Sequence, residues 1–436
     1  MRTLNQRTSP LRGEITVPGD KSISHRAVML GSIASGNTEI TGFLPGADCL
    51  STVDCFRRLG VQIDVRAGDG RATVHGKGMR ALSPASDPVS LYTGNSGTTT
   101  RIISGILAPQ SFTSVISGDE SISARPMRRI IDPLTRMGAS IVSERGNGCA
   151  PLRITGRKLH GITYHSSVAS AQVKSSILCA GLYAEGVTEV IEPSLSRDHT
   201  ERMLRAFGGV VDSFEDSDGW HARTVQCGDL CGRKVSVPGD ISSAAYFIAA
   251  ATLIPGSEIL IRNVGINPTR AGLIDAALQM GASITMLKIR NDAEPSADLL
   301  VRYAPLHGIT IGGSLIPALI DEIPVLAVLA AAADGTTCIR DAGELRVKET
   351  DRINTISENL SAMGGTVFPQ SDGLVIEGSG AGNLPLKGAL IRTGGDHRIA
   401  MAFSAAALCA EGSTVIDDDR CVDVSYPDFY RDLFSL

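Results

Sequence analysis

Basic and hydroxyl side chains gather in this chain at the starts of apolar runs, where a helix would turn free backbone N–H groups toward a ligand. Residues 17–26 read VPGDKSISHR. Pro18 and Gly19 break a preceding strand, and Asp20 or Ser22 caps a helix that continues apolar through Ala27, Val28, Met29, Leu30 and Ile33. The dipole at such a start favours anions. Lys21 adds a point charge, while Ser22 and Arg26, four residues apart and so on one face, add a hydroxyl and a planar guanidinium. The chemistry implied is the holding of a phosphate or carboxylate. The plainer alternative is a solvated helix start that happens to carry bases.

Further stretches repeat the theme. SLYTGNSGTTTR (90–101) reads strand, glycine loop, helix, with Gly94 and Gly97 allowing close backbone approach; it is not a Walker A loop, and a tight turn with a Thr cap reads equally well. Arg125, Arg128 and Arg129 surround Pro126, expected at a first helical position, so bases stand at the wrong end of the dipole unless solvated or occupied by an anion. SSVASAQ (166–172) leads into a helix over 173–182, so that Ser170 and Gln172 either bind a polyol or serve as caps. Arg197 precedes Asp198, a candidate cap of the next helix. Asp321 and Glu322 open a strongly apolar helix; Asp321 is a cap or, if it faces a cleft, a base. In ELRVKETDR (344–352), Lys348, Glu349 and Arg352 read first as a solvated helix face. GGDHR (394–398) brings Arg398 to the N-terminal end of an apolar helix over 399–408, a costly place unless paired or occupied.

The elements that must position these residues recur. A β-branched strand begins near residues 36, 111, 186, 256, 335 and 412, and after most of them come an amphipathic helix, a small-residue turn and a second strand, as in LGVQIDV (59–65) and MGASIVS (137–143). A period of about 75 residues suits a βαβ-containing unit in six copies. In the helix over 200–207, Met203, Leu204 and Phe207 share a face while Glu201, Arg202 and Arg205 point away. The runs 244–253 and 323–333 are too apolar to face water, so buried helices covered by sheets are expected. VPGDIS (237–242) repeats VPGDKS (17–22), which divides the chain into two similar halves. The second copy lacks the Lys and Arg, so the scaffold manages without them and their role in the first copy is functional. A ligand is expected between the halves.

Length and composition exclude several classes. A chain of 436 residues holds about two or three domains. A net charge of −5 argues against a nucleic-acid surface or a polybasic membrane anchor, and 4% aromatics against base-stacking platforms. No apolar run reaches the roughly 18 residues of a membrane span. The N-terminus lacks the apolar core of a signal peptide, so a cytoplasmic protein is expected. Nine cysteines, single apart from the Cys227 and Cys231 pair, form neither a disulfide framework nor a zinc motif, and no metal is expected.

PGDKSISHR (18–26), GNSGTTTR (94–101), RP (125–126), SAQ (170–172), LRVKETDR (345–352) and GGDHR (394–398), in order along essentially the whole chain, resemble the enolpyruvyl transferases, on the branch whose acceptor is shikimate 3-phosphate. The resemblance implies transfer of the enolpyruvyl group of phosphoenolpyruvate to the acceptor 5-hydroxyl with release of phosphate, by addition and elimination through a tetrahedral intermediate. It implies an α/β fold of two globular halves, each of three βαβαββ units with buried helices and outward-facing sheets, an inside-out α/β barrel. Residues 18–237 form the first half, on the shikimate-phosphate side, and 1–17 with 238–436 the second. Hinges near 17–20 and 237–240 would let the halves close on the substrates.

Carried over residue by residue, the resemblance implies Lys21, Ser22, Arg26, Ser170, Gln172, Arg197, Asp321 and Lys348 for shikimate 3-phosphate. Lys21, Gly97, Arg125, Gln172, Arg352 and Arg398 would surround phosphoenolpyruvate. Asp321 and Glu349 are the acid and base candidates, with Lys21 neutralising charge or shuttling a proton. Two polyanions demand that density of cations. The resemblance implies no cofactor, no metal, no nucleic acid and no membrane, and a monomer is expected. A lysine that some members carry before the final FPD-like segment is missing near Val424, and Ala171 replaces the middle serine of an SSQ pattern. With SRDHTERM (196–203) these departures resemble the class II branch, of variable glyphosate tolerance, although Gly97 before Thr98 resembles the inhibitor-sensitive loop. The rival acceptor, UDP-N-acetylglucosamine, goes with a reactive cysteine in the loop at 117–126 and an Asn after the first lysine, and neither stands here. A nucleotide-dependent phosphotransferase would need a P-loop, and a non-catalytic repeat protein would spread its bases over one face.

Overall fold

Six apolar helices organise the fold. In the computed structural model, which describes residues 1–380 and 386–436, they are α1 (Lys21–Ile33), α2 (Gly97–Leu107), α3 (Ala171–Gly181), α4 (Ile241–Leu253), α5 (Ile323–Ala332) and α6 (His397–Cys409). Every residue of α4 and α5 is buried. A helix that is apolar all round has no face for water and must be wrapped on every side. Four of the six are capped: Asp20 accepts from Ile23 N–H at 2.9 Å, Ser96 from Thr99 at 3.1 Å, Asp240 from Ser242 at 2.8 Å and Asp396 from Arg398 at 2.9 Å. Ser170 and Glu322 precede α3 and α5 without capping them.

Among the described residues six small sheets do the wrapping, each built on one of the recurring strands: Ala34–Thr41, Thr113–Ser117, Val187–Glu192, Glu258–Gly265, Thr336–Ile339 and Ser413–Ile416. The second sheet shows the pattern. Thr113–Ser117 pairs in parallel with Val89–Tyr92 and antiparallel with Leu152–Thr155, which in turn pairs with Ser140–Ser143. Ser114 and Ile116 face inward and their neighbours outward, the period of a one-sided sheet. Three sheets take a strand from far along the chain. Ala34–Thr41 is completed by Leu230–Cys231 and Lys234–Ser236, Glu258–Gly265 by Arg12–Thr16, and Ser413–Ile416 by Arg2–Asn5.

Met1–Pro18 with Pro238–Leu436 form one compact unit and Gly19–Val237 the other. Each has its own apolar core, around α4, α5 and α6 in the first and around α1, α2 and α3 in the second. At Gly19 a Cβ would lie 1.7 Å from the Gly42 carbonyl oxygen, so only glycine lets the backbone pass there. No single helix among the described residues is long and apolar enough to cross a membrane; Gly313–Leu319 and Ile323–Ala332 would suffice together by composition but are bent by 111°.

Several expectations are corrected. Glu201 does not point away from the core: on helix His199–Ala206 it is buried, because Lys174 meets it at 2.9 Å. Pro126 lies ahead of helix Arg128–Arg136, whose cap position is Met127, so the proline is outside the helix. Residues 344–352 are not a helix face. A 3₁₀ turn, Gly343–Val347, leads through a loop to Asp351, which caps helix Arg352–Ala362, and Arg352 is buried instead of solvated. The helix placed at 173–182 begins at Ala171, which puts Gln172 in its first turn.

Candidate active site

Cations stand at the starts of α1 and α2, two of the buried helices of the Gly19–Val237 unit. Lys21, the first residue of α1, is ion-paired with Asp48 of helix Ala47–Arg58. Arg26, one turn on, is buried; its Nη1 donates to the Ser22 carbonyl at 3.0 Å, its Nε to Thr200 Oγ1 at 2.7 Å and its Nη2 to Ser175 Oγ at 2.9 Å. α2 starts with glycine because of what stands over it. A Cβ at Gly97 would lie 2.8 Å from Arg101 Nη1 and 3.3 Å from Arg125 Nη1. Two guanidiniums thus close on one helix start, and neither has a carboxylate partner among the described residues.

Gln172 ties α3 to this place, accepting from Arg101 Nη1 at 2.6 Å and donating to Thr98 Oγ1 at 3.1 Å. Burial first, then repulsion from Arg125 and Arg129, pushes the Arg101 guanidinium down to about 10. Like charges packed this closely are costly without a counter-ion, and an incoming anion relieves the repulsion. Ser170 gives its backbone N–H to Glu192 Oε1 at 2.8 Å. Arg197 stands in the turn before helix His199–Ala206, where Asp198 does not cap but accepts from Arg202 Nε at 2.7 Å.

In the other unit the helix starts carry carboxylates as well. Asp321 is not a cap, since Glu322 holds the cap position of α5. Around Asp321 lie Arg352 Nη1 at 3.6 Å, Arg398 Nη2 at 3.7 Å and Lys348 Nζ at 3.8 Å. Arg352 is held from beneath by Asp396, which accepts from Nε at 2.8 Å, and by Glu349, which accepts from Nη2 at 2.7 Å. Among the described residues its Nη1 has no hydrogen-bond acceptor, so this donor can meet a ligand oxygen. Arg398 also pairs with Glu322 at 3.5 Å. Burial works against its charge, but Asp321, Tyr246 and Glu322 outweigh that and hold it protonated. For Glu349 burial raises the carboxyl, yet Arg352 wins and keeps it below the usual glutamate range, a carboxylate at neutral pH. His397 is pushed down to about 3 by burial and by Arg398, so its ring is neutral.

The structure therefore brings Lys348, Arg352 and Arg398 onto Asp321, with Glu349 bound to Arg352, and brings Arg125 and Gln172 to Gly97 and its neighbours. Arg26 is turned toward hydroxyls of two neighbouring helices, and Ser170 is anchored by its backbone. Three residues escaped the sequence reading. Arg101 was visible as a second arginine one helical turn past Gly97. His397 sat unremarked inside GGDHR, and Asp48 had no local signal, because only the fold carries it to Lys21. Among the described residues no cluster of His, Cys, Asp and Glu is arranged to hold a metal.

Comparison with known proteins gives this geometry a context. The profile of the family EPSP synthase (3-phosphoshikimate 1-carboxyvinyltransferase) matches residues 5–433. The chain is 54% identical to the 3-phosphoshikimate 1-carboxyvinyltransferase of Brevibacillus brevis over 432 residues, 99% of each chain. It is 52% identical to that of Geobacter sulfurreducens over 422 residues, 96% of this chain and 95% of the relative. Among solved structures, an EPSP synthase from Acinetobacter baumannii superposes with a TM-score of 0.91 at 45% identity, covering 99% of this chain and 97% of that one. The enolpyruvyl transferase NikO from Streptomyces tendae shares the fold, with a TM-score of 0.78 at 18% identity over 100% of this chain and 97% of its own.

Proposed function

The chain belongs to the EPSP synthase (3-phosphoshikimate 1-carboxyvinyltransferase) family, and from that premise we propose how its residues divide the work of the reaction. The enzyme transfers the enolpyruvyl group of phosphoenolpyruvate to shikimate 3-phosphate, and the alternative acceptor UDP-N-acetylglucosamine is not favoured. In the proposed division, Lys21, Ser22, Arg26, Ser170, Gln172, Arg197, Asp321 and Lys348 hold the acceptor. Phosphoenolpyruvate falls to Lys21, Gly97, Arg125, Gln172, Arg352 and Arg398, and we add Arg101. The observation that carries this reading is the convergence of two guanidiniums on the Gly97 backbone without a carboxylate between them. That arrangement suits a small polyanion and little else.

For the chemistry, a base takes the proton of the acceptor 5-hydroxyl as its oxygen bonds to the phosphate-bearing carbon of phosphoenolpyruvate and an acid protonates the methylene carbon; the tetrahedral adduct then gives up a proton from the methyl group so formed and expels phosphate, which restores the double bond. Glu349, kept ionised by Arg352, enters as a proton acceptor. Asp321 is the second carboxylate, and Lys21 neutralises charge or passes a proton. The residues near 17–20 and 237–240 are the hinges of this reading, residues 18–237 the shikimate-phosphate half, and a cytoplasmic monomer its form. Phosphate release that requires both substrates, with no metal or nucleotide added, is the expected result; release with UDP-N-acetylglucosamine in place of shikimate 3-phosphate would reverse the choice of acceptor. Asp321→Ala is expected to lose about 10²–10⁴-fold in turnover and still bind both ligands. Near-normal turnover would remove Asp321 from catalysis.

A further inference from the structure

Behind the helix starts a lysine is buried with two glutamates that the site does not otherwise use. Lys174 of α3, Glu192 at the end of strand Val187–Glu192 and Glu201 of helix His199–Ala206 are 2%, 1% and 1% exposed. Lys174 Nζ meets Glu192 Oε2 at 2.8 Å and Glu201 Oε1 at 2.9 Å, and donates to the Ser196 carbonyl at 3.2 Å. Glu192 also reaches outward. Its Oε1 accepts from the Ser170 backbone N–H at 2.8 Å and its Oε2 from the Ser196 hydroxyl at 2.7 Å. One carboxylate thus holds both the residue that precedes α3 and the residue that precedes Arg197.

The neighbouring positions make a second rung between the same two helices. Ser175 Oγ and Thr200 Oγ1 lie 2.6 Å apart and share the Arg26 guanidinium. A buried ion cluster is a poor stabiliser compared with apolar packing of the same volume, because desolvation cancels most of its attraction. Stability alone therefore does not account for it; what it does supply is register.

We propose that Lys174 and Glu192 are positioning residues for the acceptor subsite, holding Ser170 and Arg197 where the phosphate of shikimate 3-phosphate requires them. The inference rests on the assignment of Ser170 and Arg197 to that substrate. Glu192→Gln tests it gently: the amide can still accept from Ser170 N–H, but it places an NH₂ where Ser196 and Lys174 donate, and it leaves Lys174 with Glu201 as a neutral pair. In phosphate-release kinetics of the whole chain, KM for shikimate 3-phosphate is expected to rise about tenfold, with kcat within about twofold and KM for phosphoenolpyruvate unchanged. Lys174→Met is expected to show a larger rise of the same kind, partly restored in Lys174→Arg. A lower melting temperature with both KM values unchanged in Glu192→Gln, or an equal rise in both, would overturn the proposal. That decision does not depend on Lys174→Met folding. Ser170→Ala and Arg197→Gln separate the premise from the inference: no rise in the acceptor KM there indicts the subsite, whereas a rise there and none in Glu192→Gln indicts only the positioning role.

Discussion

At Gly97 the tolerance of the fold and the demands of the ligand separate. A methyl group there would press on Arg101 Nη1 and Arg125 Nη1, the far ends of long side chains that can swing aside. The fold should absorb Gly97→Ala with little loss of stability, while the displaced guanidiniums are those assigned to phosphoenolpyruvate. A hydrogen bond to a charged group is worth about 1.5–3 kcal/mol, so losing one makes KM for phosphoenolpyruvate rise about tenfold or more with KM for shikimate 3-phosphate nearly constant; equal changes in both would show that the two arginines serve the acceptor. The glycine and the helix start at this place were legible in the sequence because they are local. What they touch was not. Arg352 and Glu201 looked solvated in a linear reading, and both are buried, because their partners Asp396 and Lys174 come from other segments.

Elements were more legible than contacts, since a strand's period and a helix's apolar content are written in consecutive residues. All six recurring strands and all six buried helices stand where the patterns put them, with ends shifted by a few residues. The surface chemistry of the sheets was not foreseen. On the sheet of Val187–Glu192, Val211–Asp216 and Gly219–Val225, His221 has Nδ1 3.0 Å from Glu189 and Nε2 2.8 Å from Asp216, with its ring stacked 4.5 Å from that of Phe214. Burial lowers the imidazole, but the two carboxylates outweigh it and raise it above 6.5. A raised pKa means that the folded sheet prefers the charged ring. Its contribution is complete below the unfolded value and is lost as pH climbs through the folded one. His221→Gln is therefore expected to lower the thermal midpoint at about pH 6 and to matter much less at about pH 9. An equal loss at both would assign the effect to stacking on Phe214.

For the molecule as a whole, the least legible feature is how each unit is closed. A reader of the sequence sees six similar segments in a row, but among the described residues Ser413–Ile416 has no hairpin of its own, and the strand that pairs antiparallel with it is Arg2–Asn5, from the other end of the chain. Pairing at such separation leaves no trace in local pattern. The consequence is that the first residues belong to the core of the last segment: Leu4 is 2% exposed within the core formed around α4, α5 and α6, and has no part in the core around α1, α2 and α3. Leu4→Ala removes a buried side chain at a cost of about 2–5 kcal/mol. If each unit is stabilised by its own core, hydrogen exchange should quicken in Arg2–Asn5, Leu390–Ile391 and Ser413–Ile416 and remain unchanged throughout Gly19–Val237. Faster exchange across both units would instead mean that they unfold as one cooperative body, and that the second passage of the chain, at Val237 and Pro238, transmits stability as well as connection.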